Sequence, residues 1–393
     1  MSKSSFVLPI IVFSQFACTA LWFAGNAVIS ELTDIFQLAP TALGHLTSAV
    51  QLGFIFGTLA FAILTISDRF SPSKVFLVCA LAGAAFNLGI LGGWNSFASL
   101  FGFRFLTGFC LAGIYPVGMK IAADHHEKGL GKALGWLVGA LVLGTAFPHL
   151  LNSYVNQLDW RYVIMGTSSI ASFGGLLLYL SVGDGPYRRA GQGLDQTAFF
   201  KVFRSFSFRQ AAFGYFGHMW ELYAFWAFVP AILLRYQQQH GDLPASIAAL
   251  AFWIIASGSL SCILGGYLST RIGSRRTAYI ALALSGFCCL ISPWLFNATF
   301  PIFYCFLLVW GMVVIADSPQ FSTLVATNAP AEIKGTALTI VNCIGFSITI
   351  ASIQLIGYLV DSSTTKYTFV WLAIGPLFGL LYAGWGYLKF KKV

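Results

Sequence analysis

Four ionisable side chains stand inside long apolar stretches, where a charge is costly: Arg104, His218, Glu221 and Asp317. Each costs several kcal/mol or more at membrane depth unless paired, so such residues mark proton or solute pathways by default. His218 and Glu221 are three positions apart, which places them on one face of a helix. Carboxyl groups in a medium of low dielectric favour the neutral form, and an imidazole exchanges protons near neutrality. Glu221 with His218 therefore reads as a proton-coupling site, and Asp317 as a second candidate. The competing reading is a permanent pairing of Glu221 with Arg104 or His218 that only fastens helices together. Arg104 suits binding of an anionic solute or control of a proton relay.

Polar and aromatic residues near these charges complete a candidate solute site. Gln15 and Asn26 lie in the first apolar stretch, Trp220 and Tyr223 beside Glu221, and Gln320 and Asn342 in the later stretches. The other intramembrane amides, Gln51, Asn87 and Gln354, read as hydrogen-bonding partners between helices. All eight cysteines sit in apolar runs without metal-ligand spacing, so no metal centre is expected. The chain has no P-loop, no H-E-x-x-H and no G-x-S-x-G, which removes ATP-driven transport and the common hydrolase signatures. No cofactor is expected.

The elements that must position these residues follow from composition. Of the 393 residues, 58% are hydrophobic and only 9% charged. A soluble domain carries roughly 25% charged residues. Apolar runs of about 20 residues recur, the length that crosses a bilayer as a helix. Backbone groups in lipid must be satisfied internally, so these runs are helices; strands would alternate in polarity. Twelve spans are expected. The first six are Phe6–Ile29, Gly44–Ile66, Val75–Trp94, Phe97–Ile121, Leu130–Leu151 and Tyr162–Val182. The second six are Gln210–Leu234, Ala245–Leu268, Thr277–Leu295, Phe300–Ser322, Gly335–Tyr358 and Phe369–Leu388. The first is expected to be an uncleaved helix and not a signal peptide. The fold class is thus an all-α polytopic membrane protein: a bundle over 1–182, a cytoplasmic linker over 183–209 and a second bundle over 210–393.

Charge gives the orientation. With the N-terminus inside, one side holds Lys3, Arg69, Lys74, Lys120, Lys128, Lys132, Arg188, Arg189, Lys201, Arg204, Arg209, Arg271, Arg275, Arg276, Lys334, Lys389, Lys391 and Lys392. The other side keeps Arg161, Arg235 and Lys366. Cytoplasmic loops carry such an excess. Both termini are therefore expected in the cytoplasm, in a bacterial inner membrane. The net charge of +9 reads as a topology signal and not as a nucleic-acid footprint. The partners expected are the bilayer, protons and a small-molecule substrate, with the chain acting as a monomer.

The halves repeat each other. Gly108 and Tyr115-Pro116 match Gly311 and Ser318-Pro319 at an offset of 203, and Asp68-Arg69 matches Thr270-Arg271 at 202. Parallel six-helix repeats place a site at the midplane between them.

Gly266-Tyr-Leu-Ser-Thr-Arg271-Ile-Gly273-Ser-Arg275-Arg276 resembles the loop motif G-x-x-x-D-R-x-G-x-R-R of the major facilitator superfamily. Asp68-Arg69 is a degraded first copy. Arg104-x-x-x-Gly108, the Gly135, Gly139, Gly144 and Pro148 set, and Asp159-Trp160-Arg161 are also similar to family patterns. The resemblance implies two pseudo-symmetric six-helix bundles, with helices 1, 4, 7 and 10 lining the cavity. It also implies a cytoplasmic gating latch at Asp68, Arg69, Arg271, Arg275 and Arg276. The expected function is a proton-coupled secondary transporter taking up an organic anion by alternating access. Proton-driven efflux of a drug or metabolite is the alternative, and an intramembrane enzyme or a transporter-like sensor is remote.

Overall fold

A computed structural model describes residues 6–125, 130–155, 159–188, 198–330, 333–362 and 366–390. Lys3, Lys128, Arg189, Lys391 and Lys392, used above in the orientation argument, lie outside the described residues. So do the side chains of Asp68, Lys132 and Lys389.

The described residues form helices and no strands. Helix α1 (Val7–Thr19) is followed by the short helices Ala24–Ala27 and Ile29–Phe36. Then come α2 (Ala42–Ile63), α3 (Pro72–Leu88), α4 (Phe97–Leu111, resuming as Tyr115–His125), α5 (Leu130–Val155) and α6 (Arg161–Ser181). A short helix, Ala198–Val202, lies in the central connection. The second half holds α7 (Phe206–His240), α8 (Ile247–Ile272), α9 (Ser274–Leu295), α10 (Phe300–Ala316, resuming as Ser318–Asn328), α11 (Lys334–Ser362) and α12 (Ile374–Phe390).

Nine of the described helices are long and apolar enough to cross a membrane by themselves. Val7–Thr19 and Thr368–Gly384 are shorter apolar helices, and α7, with its interior His218 and Glu221, spans 35 residues. Together they make the twelve.

Local chemistry explains several starts. Ser71 accepts a hydrogen bond from the Lys74 backbone, with Pro72 at the first helical position. Ser96 and Ser99 form a reciprocal capping box at α4. Ser205 and Ser246 cap α7 and α8 singly, accepting from the backbone N–H of Phe208 and Ala249.

Three spans expected to be continuous are broken. In α4 the break falls just before Tyr115-Pro116, and in α10 at Asp317, just before Ser318-Pro319. Proline removes a helical N–H and disfavours helical backbone in the residue before it. The first span breaks after Thr19, and Arg104 donates to the carbonyls of Leu21 and Trp22 that the break frees.

The internal repeat is visible in packing. At Gly108 of α4 a Cβ would overlap the carbonyl of Val50 in α2. At Gly311 of α10 it would overlap the carbonyl of Ile254 in α8. Both pairs bring helix backbones together where no side chain fits, 203 and 204 residues apart. Between the halves, α5 runs along α8 and α2 along α11.

Candidate functional site

A cavity of about 660 Å³ lies between the halves. Its walls include Thr58 and Phe61 of α2, Tyr115 and Lys120 of α4, Tyr215, Met219 and Tyr223 of α7, Ile315 and Ser318 of α10, and Asn342 and Phe346 of α11. It reaches the helix ends at Thr65, Ser67, Lys120, Thr327 and Lys334, the face that carries the basic loops. Among the described residues its lining contains hydroxyls, an amide and two lysines, and no Asp or Glu. Lys120 lies 3.7 Å from Asp124 at the mouth.

Aromatic rings roof the cavity. Trp22 stacks on Tyr223 at 5.6 Å and on Phe346 at 5.8 Å between centroids, and Phe54 packs on Phe346 at 4.4 Å. Trp22 and Phe54 belong to the first half, Tyr223 and Phe346 to the second. Above the roof Gln354 Nε2 donates to Ser48 Oγ at 2.8 Å, joining α11 to α2. Nearby, Gly357 packs within 4.0 Å of Gly44 when given a Cβ. The molecule is thus open on one face and shut on the other.

Behind the wall, His218 Nδ1 lies 2.7 Å from Asp317 Oδ1, both residues 1% exposed. The break in α10 brings Asp317 to α7 at this point, and its neighbours Ile315 and Ser318 face the cavity. The Tyr215 ring packs 5.9 Å from the imidazole, and its hydroxyl donates to Asn342 Oδ1 at 2.9 Å. His218 Nε2 and Asp317 Oδ2 are buried without a hydrogen-bond partner among the described residues.

The expected pairing of Glu221 with His218 is not made. A three-residue step turns the helix by roughly 300°, enough for the two side chains to meet different neighbours. Glu221 Oε1 instead accepts from Ser285 Oγ at 2.5 Å, Trp310 Nε1 at 2.7 Å and Cys289 Sγ at 3.2 Å, all in the second half. Nor does Glu221 meet Arg104. That guanidinium is 1% exposed, holds the freed carbonyls of Leu21 and Trp22, and pairs with no carboxylate among the described residues.

Of the residues expected to contact solute, Tyr223 and Asn342 line the cavity. Arg104, Gln15, Asn26, Trp220 and Gln320 do not. Gln15 packs in the first half against Gly118, where a Cβ would run into its amide oxygen. Asn26 Nδ2 donates to Thr47 Oγ1 at 2.7 Å, Trp220 Nε1 to the Trp371 carbonyl at 3.0 Å, and Gln320 Nε2 to the Gly265 carbonyl at 3.4 Å. The amides Asn87 and Gln354 bond between helices as expected, Asn87 to Thr167 and Ser168 of α6. The Gln51 amide has no hydrogen-bond partner among the described residues. Tyr115, Tyr215 and the two lysines were not singled out from the sequence. Tyr215 sits three residues before His218, and that spacing was the available signal.

Of the expected latch, the Asp68 side chain lies outside the described residues, and the four arginines make no bond across the halves among the described residues. Arg275 Nη2 donates to Gln210 Oε1 at 3.0 Å within its own half. Arg69, Arg271 and Arg276 are exposed, with no side-chain hydrogen bond or ion pair among the described residues. Their face is the open one.

The family model of the Major Facilitator Superfamily matches residues 11–353. The chain belongs to that family and is a multi-pass membrane transporter. In fold it is similar to a bacterial homologue of the human lysosomal transporter Spinster in an inward-facing, unoccupied conformation. That match has a TM-score of 0.72 at 15% identity and covers 99% of this chain and 97% of the other. It is also similar to the human organic anion transporter MFSD10 (TETRAN), with a TM-score of 0.71 at 12% identity, covering 97% of this chain and 100% of the other. No curated protein matches the chain in sequence.

Proposed function

We propose that this transporter couples an organic anion to protons by alternating access, and that His218 and Asp317 carry the proton. The observation behind this is the buried pair itself, set directly behind Tyr215, Ile315 and Ser318 of the cavity wall. Intramembrane ionisable pairs beside a cavity are the usual form of a proton relay. Coupling requires that proton and solute each bind the two states with different affinity. Protonation changes whether the pair holds α7 to α10 as an ion pair, and these helices bound the cavity.

The anion preference rests on the lining. Two lysines and several hydroxyls face the space, and among the described residues no carboxylate does. That an organic anion transporter shares the fold is in keeping with this, as analogy only. Glu221, held by three donors inside the second half, is assigned to fastening α7 onto α9 and α10. The excess of basic residues in the loops of the open face supports a cytoplasmic orientation in a bacterial inner membrane, and a cavity lined from both halves of one chain suits a monomer.

The test is proton movement in proteoliposomes under an imposed pH gradient. Phthalate, 1-naphthoate and the cation tetraphenylphosphonium are added in turn, with protein-free liposomes as blank. The proposal expects an anion to dissipate the gradient in wild type and not in Asp317→Asn. Dissipation by the cation alone would replace uptake of an anion with export of a cation against protons. An anion that moves without protons would remove the coupling.

A further inference from the structure

In the closed outer region, buried polar atoms of four residues lack hydrogen-bond partners among the described residues. Gln51, wholly buried, leaves both its amide nitrogen and its amide oxygen unpartnered. The indole N–H of Trp22 and that of Trp226 are buried and unpartnered, and so is the Nε of Arg104. Leaving such groups unmade in a closed protein is costly, and native structures rarely do so without reason.

These groups cluster around the break after α1. Trp22 lies in the break, and Arg104 holds its carbonyl. Gln51 lies on the stripe of α2 that faces it. One turn before Gln51, Thr47 takes the Asn26 hydrogen bond, and one turn after it Phe54 packs on Trp22 at 5.0 Å. Trp226 of the opposite half meets the cluster through Tyr223 at 5.4 Å and Phe23 at 6.4 Å. The set therefore straddles the two halves at the aromatic roof, to which Trp22 belongs, where they must part for the outer face to open.

We infer that Trp22, Gln51, Arg104 and Trp226 form an outer subsite that takes the carboxylate of an aromatic or bulky apolar organic acid when the outer face opens. The inference rests on the organic-anion reading given above and deepens it. The chemistry is that of an oxyanion site. Two indoles and one guanidinium can only donate, and Gln51 adds an amide N–H. Arg104 brings a positive charge that no carboxylate of the chain offsets among the described residues. The ring faces of Trp22, Phe54 and Tyr223 supply the apolar wall for the body of the acid. In the state described here the halves close over the subsite, and the two indole N–H groups, the Gln51 amide and Arg104 Nε are left without partners among the described residues. The solute then lies one layer lower, against the hydroxyls of the open cavity. Transfer between the two layers is what rocking of the halves accomplishes.

The test uses full-length protein in nanodiscs, which expose both faces, and calorimetric binding of benzoate, 1-naphthoate and phthalate. Trp22→Phe keeps the ring stack and removes the N–H. Gln51→Leu keeps the volume and removes the amide. Each is expected to weaken binding of the anions about ten-fold, equivalent to about 1.4 kcal/mol. The thermal midpoint without anion is expected to be unchanged or raised, because an unpartnered polar group has been removed. A merely structural role predicts the reverse: a lower midpoint with affinity intact. Affinities within two-fold of wild type in both variants overturn the subsite and leave the anion reading standing. Wild-type protein that binds none of the three anions removes both.

Discussion

His218 and Asp317 come from α7 and α10, lie 99 positions apart in the chain, and meet at 2.7 Å in a place that water barely reaches. Neither helix delivers its partner by regular geometry alone. Asp317 reaches α7 because α10 breaks there, one residue before Ser318-Pro319. Breaking a buried pair by removing one partner costs about 3–5 kcal/mol, while replacing both with apolar groups is often close to neutral. His218→Leu and Asp317→Leu are each expected to lower stability on that scale, and the double variant to recover much of the loss. A double-mutant cycle on thermal unfolding in detergent checks this. Additive losses would mean that the two groups do not interact.

Glu221 is expected to behave differently. Its carboxyl oxygen serves Ser285, Trp310 and Cys289 together. Glu221→Ala leaves three buried donors stranded, and each stranded group costs about 1–3 kcal/mol. Glu221→Gln keeps an acceptor oxygen in place and is expected to lose far less. Proton coupling measured in proteoliposomes is expected to persist in the glutamine variant. If it vanishes there while folding is intact, Glu221 carries the proton after all.

Arg104 spans two carbonyls of the α1 break with its forked guanidinium. Lysine has one compact ammonium and does not reproduce that fork. Arg104→Lys is therefore expected to cut transport at least ten-fold. It is also expected to lower the thermal midpoint, because the break that sets Trp22 against Tyr223 loses a strut. Retained transport and stability in the lysine variant would show that charge alone suffices.

Gly108→Ala and Gly311→Ala each place a methyl group in a backbone carbonyl of the neighbouring helix. Overpacking of this kind costs about 1–3 kcal/mol or more. Both variants are expected to reduce folded yield by a similar factor, since they are repeat-related. At Gly266 a Cβ meets nothing within 4 Å, so Gly266→Ala serves as the neutral comparison. Size-exclusion profiles of the three proteins, expressed side by side, decide it.

The twelve spans and their division into two bundles were legible in the sequence because hydrophobic length is a strong, local signal. The repeat was legible through Gly108 and Gly311, whose shared packing role fixes their spacing. Side-chain direction was not legible. A separation of three residues placed His218 and Glu221 close on α7, but the helices around α7 decide what each one meets. Helix breaks were also hidden: Thr19 to Phe23 contains no proline, and its turn is completed by Arg104 from 82 and 83 positions away. That same hidden contact withdrew Arg104 from the cavity, where its charge had suggested it would sit. Gln51 read as an ordinary interhelical amide, and only its three-dimensional surroundings show it without a partner.

The most direct measurement compares two kinds of transport in one preparation of Asp317→Asn. Proteoliposomes are loaded with unlabelled 1-naphthoate to follow exchange with labelled solute, or left empty to follow accumulation driven by a pH gradient. Protein-free liposomes correct for passive permeation. Proton coupling through His218 and Asp317 expects exchange within a few-fold of wild type and accumulation abolished. Accumulation equal to wild type in the asparagine variant would contradict it, and the proton would have to travel by another route.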